Sequence, residues 1–436
     1  MNWITNLIFT LLLTSATCLH GQVADTFYSA DYLDRSTRFA WTTFGGDMLA
    51  LTGGNVDYLV SEAVKNTDFG NTYIPRLSIG GIHFWGHADF YVTFPLSFLA
   101  VTDQPAAFEK MKYLHGIETG AKVYPWAIGP GKLRPFAGIS FRTETFGYER
   151  SEDDFPEGYP VRQRFVTPVQ AGLTYAGKKY LFSIGAHYLL HREVNYYLDE
   201  NMQGQVDFNP LSVNFSFHRY FDADAGARQP KGIEQENLRH GLLKKYGKLS
   251  GLYWGLGPSA ALQMSKSSFF KKQYPQFYDQ HTGGIMPDLT FGYHFYKPDL
   301  NVGLSYRTMG GRLQAIEDDI RLRRHSVGLE AYKFLFNYLG FVPYAGVMLN
   351  AERLSADVNG TEYSDWKIAP GIVFGWDIRV VRNGTSLLRT NLRWTPNLHL
   401  GVEGEKILFD HLEFNFIQYV HYIGRGRFYG KFRKRE

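Results

Sequence analysis

The chain has 436 residues, 46 of them basic and 42 acidic, and its formal net charge of +4 makes no case for a nucleic-acid partner. Aromatics reach 16% and glycines number 45, yet mean hydropathy is only -0.26. Helical spans need roughly 20 consecutive apolar residues and no stretch approaches that, which excludes a helical membrane protein. Many aromatics at middling hydropathy suit strands with one apolar and one polar face.

The longest apolar run comes first, Leu7 to Leu13 broken only by Thr10, followed by Thr14, Ser15, Ala16, Thr17 and Gly21-Gln22. It predicts a secretory signal over residues 1–21, although Met1 to Asn6 carries no Lys or Arg. Cys18, the single cysteine, leaves with it. The mature chain, 22–436, is then expected to lack disulfides and to be held by closure of a sheet.

Beyond the signal, period-two alternation recurs. Leu211, Val213, Phe215 and Phe217 alternate with Ser212, Asn214, Ser216 and His218; Leu289, Phe291, Tyr293 and Phe295 alternate with Asp288, Thr290, Gly292 and His294. Segments such as Leu133 to Tyr148 and Trp366 to Ile378 reach the roughly 9–11 residues of a membrane strand, beyond the roughly 5–6 of a soluble one. About sixteen such segments can be placed, and fourteen is also compatible with the pattern. The fold class expected is all-β, a transmembrane antiparallel β-barrel built from two similar halves.

The connections alternate in length. Short ones fall at Gly86-His87, Pro130-Gly131, Gly177-Lys178, Lys297-Pro298, Asn337-Tyr338 and Asn383-Gly384. Long polar ones cover Gly53 to Asn71, Val101 to Lys110, Arg150 to Pro160, Arg192 to Gly204, Ser265 to Gly284, Gly310 to Asp319 and Ser355 to Ser364. Short periplasmic turns and long outer loops are the habit of outer-membrane barrels. Asp222 to Ser250 breaks the rule, and within it Ile233 to Tyr246 predicts a helix with Leu238, Leu242 and Leu243 on one face.

That connector coincides with an internal duplication. Gly116-Ile117-Glu118 matches Gly328-Leu329-Glu330, and Pro135-Phe136-Ala137-Gly138-Ile139 matches Pro343-Tyr344-Ala345-Gly346-Val347. The organisation expected is a repeat half 37–220, a periplasmic connector 221–250, a second half 251–422 and a basic tail 423–436. A single barrel is preferred over two eight-stranded ones, because each half would otherwise need its own closing strand pair.

The hairpin Gly116 to Trp126 with Leu133 to Phe141 resembles those of the porin-like outer-membrane β-barrel families of Bacteroidota. The resemblance is general. It implies an outer-membrane location and carries over no substrate or catalytic residue. The basic tail after Tyr422 departs from the terminal aromatic strand usual in such barrels.

Most motifs have a bland reading. Gly255-Leu-Gly257-Pro-Ser-Ala260 continues an alternating strand rather than opening a helix, so it is no dinucleotide fingerprint. His83, His187, His218, His294 and His421 sit on polar strand faces without metal-ligand spacing, and neither metal nor cofactor is expected. Ser212, Ser216 and His218 are the nearest approach to a hydrolase constellation, and no enzyme is expected. The best lead is the lumen-facing set Arg142, Glu144, Arg307, Glu330, Arg389, Asn391, Arg393, Glu413 and Asn415. Opposed charges in a pore order water and select solutes; the same charges, paired, brace a wall.

The function expected is a passive or weakly selective channel for small polar solutes. Its rivals are a plugged barrel acting as a structural or assembly partner, and a lipid-modifying enzyme at the rim. Outer-membrane lipid is the constant partner; a homo-oligomer or an envelope-protein partner is compatible with the sequence.

Overall fold

The computed structural model describes residues 41–60, 63–149, 161–199, 202–222, 230–278, 285–315, 318–337, 341–379 and 384–425. The expected signal over 1–21 with Cys18, the loop Arg150 to Pro160 and the tail beyond Arg425 lie outside them.

The first half contains β1 (Trp41–Leu51), β2 (Gly54–Val60), β3 (Ala63–Phe69), β4 (Thr72–His83), β5 (Ala88–Pro95), β6 (Val101–Thr102) and β7 (Lys110–Val123). It continues with β8 (Lys132–Glu149), β9 (Val161–Val166), β10 (Val169–Ala176), β11 (Tyr180–Tyr188), β12 (Glu193–Tyr197), β13 (Gln203–Phe208) and β14 (Leu211–Asp222). Eight of these form an antiparallel ring in the order β1, β14, β11, β10, β8, β7, β5, β4, closed by β4 on β1. β9 continues β10 along the upper part of β8.

After α1 (Pro230–Lys245) come β15 (Gly251–Gln263), α2 (Ser268–Gln273), α3 (Pro275–Tyr278), β16 (Ile285–Phe295), β17 (Leu300–Ala315), β18 (Asp318–Phe334) and β19 (Phe341–Val358). The chain finishes with β20 (Thr361–Ile378), β21 (Ser386–Trp394), β22 (His399–Val402), β23 (Glu405–Leu408) and β24 (His411–Tyr422). β15 to β21 and β24 close a second antiparallel ring.

The sixteen barrel strands and two similar halves match the expectation, but the single ring does not. Each half possesses the closing pair that a single ring would make unnecessary. β1 pairs β14 from Trp41↔Asp222 to Leu51↔Ser212, and β15 pairs β24. The chain therefore completes one barrel before the connector and builds the other after it.

Exposure is inverted relative to a soluble protein. Phe44, Phe182, Phe215, Phe291, Leu329 and Ile372 are exposed, Phe215 at 62%, while Ser216, Asp288, Thr290 and His294 are buried. Such an apolar outer surface belongs against lipid. Among the described residues no helix is long and apolar enough to cross a membrane.

Short turns lie at the connector end of both rings and long excursions at the other. Several of the expected loops are instead strand: Gly53 to Asn71 holds the β2–β3 hairpin, Arg192 to Gly204 holds β12 and the start of β13, and β17–β18 and β19–β20 run on as hairpins, the last turning at Asn359 (φ 48) and Gly360 (φ 87). Two residues with positive φ are what a tight primed turn demands, and Asn-Gly supplies them. Within the connector, Leu243 and Leu249 are buried but Leu238 is 55% exposed, so the expected leucine face is only partly engaged. Arg425, expected to begin a solvated tail, is buried over the Tyr422 ring and donates to Leu249 O at 3.0 Å.

Apolar domes cap the loop ends. Over the first ring, Val56, Phe69, Val206 and Phe208 of the β2–β3 and β12–β13 hairpins pack on Tyr113 and Phe146. Over the second, Phe269, Phe270 and Phe277 turn inward against Leu313, Leu322, Leu354 and Ile407.

Candidate functional site

Because side chains alternate across a strand, one register puts every second polar residue inside the ring. An eight-stranded ring leaves an interior just wide enough for side chains to fill it. All nine residues singled out from the sequence lie on this inner face, each at most 2% exposed.

In the first ring a chain of ion pairs follows the wall. Arg76 on β4 pairs Asp47 on β1 at 2.5 Å and Glu118 on β7 at 3.0 Å. Arg142 on β8 donates to Glu118 Oε2 at 2.9 Å and, from Nη2, to Glu144 Oε1 at 2.8 Å. Arg164 on β9 donates to Glu144 Oε2 at 2.6 Å. Three guanidinium groups meet three carboxylates, and each link joins strands no more than two apart around the ring. Tyr91 ties Glu118 to Gln170 on β10. The facing wall carries small polar groups and histidines, among which Ser212 Oγ, Ser216 Oγ, His187 Nδ1 and His218 Nε2 have no hydrogen-bond partner among the described residues.

The second ring is braced across its width. Arg324 on β18 reaches Glu413 on β24, four strands away and hence diametrically opposite, at 2.8 Å. Arg307 on β17 meets the same Glu413 at 2.7 Å and Glu330 at 3.1 Å. Arg393 on β21 spans to Asp288 on β16 at 2.5 Å and to Glu330 on β18 at 2.7 Å, and its Nη1 also donates to Asn391 Oδ1 at 2.7 Å. Asn415 donates to Asp288 at 2.7 Å, and Arg324 pairs Glu352 at 2.7 Å. Nearer the connector end, Arg389 donates to Asp377 at 2.6 and 3.0 Å and to the Tyr332 hydroxyl, among the rings of Tyr253, Tyr332 and Tyr344.

Sequence reasoning missed Asp47, Arg76, Glu118, Arg164, Asp288, Arg324, Glu352 and Asp377. Two carried a usable signal: Glu118 is the repeat counterpart of Glu330, and Glu352 that of Glu144. The rest share the polar phase of their strands but needed the ring order to acquire partners.

The serines and histidine considered for hydrolysis, Ser212, Ser216 and His218, are buried without a Ser–His hydrogen bond. A different pair exists at the connector rim of the second ring, where Ser386 Oγ lies 3.0 Å from His421 Nδ1 and 2.7 Å from the Tyr419 hydroxyl. Trp254 and Tyr419 pack on that imidazole, and no carboxylate among the described residues orients it.

No family model matches the chain, and no curated protein does. Among solved structures, Neisserial surface protein A is similar at 20% identity over 40% of this chain and 97% of its own, with a TM-score of 0.29. OprG from Pseudomonas aeruginosa is similar at 13% identity over 43% and 98%, TM-score 0.32. The transport unit of the autotransporter AIDA-I from Escherichia coli is similar at 9% identity over 95% and 97%, TM-score 0.20. These likenesses concern fold alone. Closed antiparallel rings, apolar outside and charged within, define the class as an outer-membrane β-barrel protein, here with two barrels in one chain.

Proposed function

We propose that the chain is exported by its N-terminal signal to the outer membrane and serves there as a plugged two-barrel scaffold, the partner of other envelope components, rather than as a channel or an enzyme. The observation that carries this reading is the Arg324–Glu413 pair, which crosses the full diameter of the second ring. Arg307 and Arg393 cross at neighbouring levels, so any ion entering would have to break several desolvated ion pairs. The loop-end hairpins, with β19 and β20 each 18 residues long, offer the surface for a partner.

Conductance of the refolded mature chain in a planar bilayer is the test. Silence from protein shown to be inserted is expected. Large persistent steps whose ion selectivity shifts in Arg389→Ala/Arg393→Ala would overturn the scaffold reading and restore a channel for small polar solutes. One feature favours a narrow second reading. The unsatisfied serines and histidines of the first ring suit a file of bound water, which would appear as small steps unaffected by those two substitutions.

A further inference from the structure

Between the two rings lies a cavity of about 1140 Å³, walled by β4, β5, β7 and β8 on one side and by β15, β20, β21 and β24 on the other. It is flanked at the connector end by Phe84 against Phe341 (ring centroids 5.2 Å apart) and Phe90 against Trp376 (6.0 Å). Toward the loop end β9 comes against β17. Along β24 the lining runs from Leu412 to Tyr419, about 24 Å at the rise of a strand, against a hydrocarbon core about 30 Å thick. The walls are outward-facing positions of both barrels, such as Ile79, Phe94 and Leu388. An occupant has to be long, narrow and apolar for most of its length.

One spot in these walls is different. β5 pairs β7 only as far as Thr93↔Glu118, so from Ile117 toward the loop end β7 is laddered to β8 alone. There the register of β7 on β8 slips between His115 and Glu118, setting Gly116 and Ile117 against the single Thr143. Gly116 makes the slip feasible, since a Cβ there would stand 2.4 Å from Thr143 Oγ1.

The inner-face residues that the cavity lining takes in include Tyr91 and, at this gap, His115 and Arg142. His115 is 3% exposed. Its Nδ1 lies 2.6 Å from Gly116 O, and a carbonyl only accepts, so Nδ1 carries the proton. Nε2 is left as an acceptor with no hydrogen-bond partner among the described residues. A buried, unsatisfied acceptor beside an arginine already paired to Glu118 and Glu144, at the edge of an apolar slot, asks for a head that is neutral and brings one proton.

We propose that this cavity binds a single long-chain fatty acid, its chain lying between the barrels and its neutral carboxyl group donating its proton in a hydrogen bond to His115 Nε2. A diacyl phospholipid suits it poorly. Its ionic head would be buried against one acceptor, and burying a charge without full pairing is costly.

Native mass spectrometry of the refolded full-length mature chain, titrated with hexadecanoic acid, tests the proposal. One equivalent is expected to bind. His115→Phe should weaken it about tenfold, the worth of one hydrogen bond to a buried group. Leu388→Trp, which fills the slot from the second ring without touching His115, should abolish it. Hexadecan-1-ol, whose hydroxyl is a weaker donor to His115 Nε2 than a carboxylic acid, should bind more weakly than the acid. Undiminished binding in either variant, or equal uptake of phosphatidylethanolamine, overturns the proposal. Folding is checked by heat-modifiable gel mobility, and because Leu388 faces outward, its variant decides the matter even if His115→Phe fails to fold.

Discussion

The two barrels share strand number and antiparallel order, yet place their arginines differently. In the first, ion pairs run from strand to neighbouring strand and leave the opposite wall to serines and histidines. In the second, guanidinium groups lie across the lumen. The repeat shows where the difference originates. Glu118 and Glu144 have carboxylate counterparts in Glu330 and Glu352, but Asp47 and Arg76 correspond to Ser259 and Asp288. An arginine beside an aspartate is satisfied locally. An aspartate beside a serine is not, and its cation arrives from β21, three strands away. Exchanges at these two positions thus separate a wall belt from a cross-brace.

Arg393→Ala leaves the buried Asp288 without its cation, although Glu330 keeps Arg307, and should destabilise the protein by about 3–5 kcal/mol, read as the urea midpoint of its gel-mobility transition. Arg164→Ala should cost less, about 1–3 kcal/mol, because Glu144 keeps Arg142. If Arg164→Ala proved the more damaging, the distinction between belt and brace would fail. His218→Leu should be nearly neutral, within about 1 kcal/mol, since it removes a buried Nε2 that has no hydrogen-bond partner among the described residues. A large loss would mean that ordered water already satisfies that wall.

The smallest effect belongs to the exposed hairpin tip. Arg312 and Arg321 hydrogen-bond Asp319 and hold its carboxyl below the usual carboxylate range. That contribution is complete above the unfolded carboxyl value of about 3.9 and is lost as pH falls through the depressed folded value. Solvent screening keeps it to about 0–1 kcal/mol. Asp319→Asn should therefore leave the urea midpoint at pH 7 almost unchanged and slightly flatten its acid side.

Strand positions, face alternation and loop parity were legible because each depends on residues two to ten apart. Leu289 to Phe295 points to lipid in the structure as the alternation predicts. Ring closure was not legible. It depends on whether Leu51 finds Ser212 or a strand of the other half, and period-two patterns are identical in either case. The inner-face residues were readable singly for the same reason that their partners were not. Glu413 is plainly polar-phase on β24, but only ring order brings Arg324 to it from the far side. The β7 slip at Gly116 was equally hidden, since a glycine in a strand is consistent with several geometries.

The separate closing pairs also set a timetable for biogenesis. Everything the first barrel needs has been delivered by Asp222, whereas the second waits for β24, the last strand among the described residues. An insertion machine handling this polypeptide would complete and release one cylinder and then re-engage the same molecule, with α1 and its flanking residues as the leash between the two rounds.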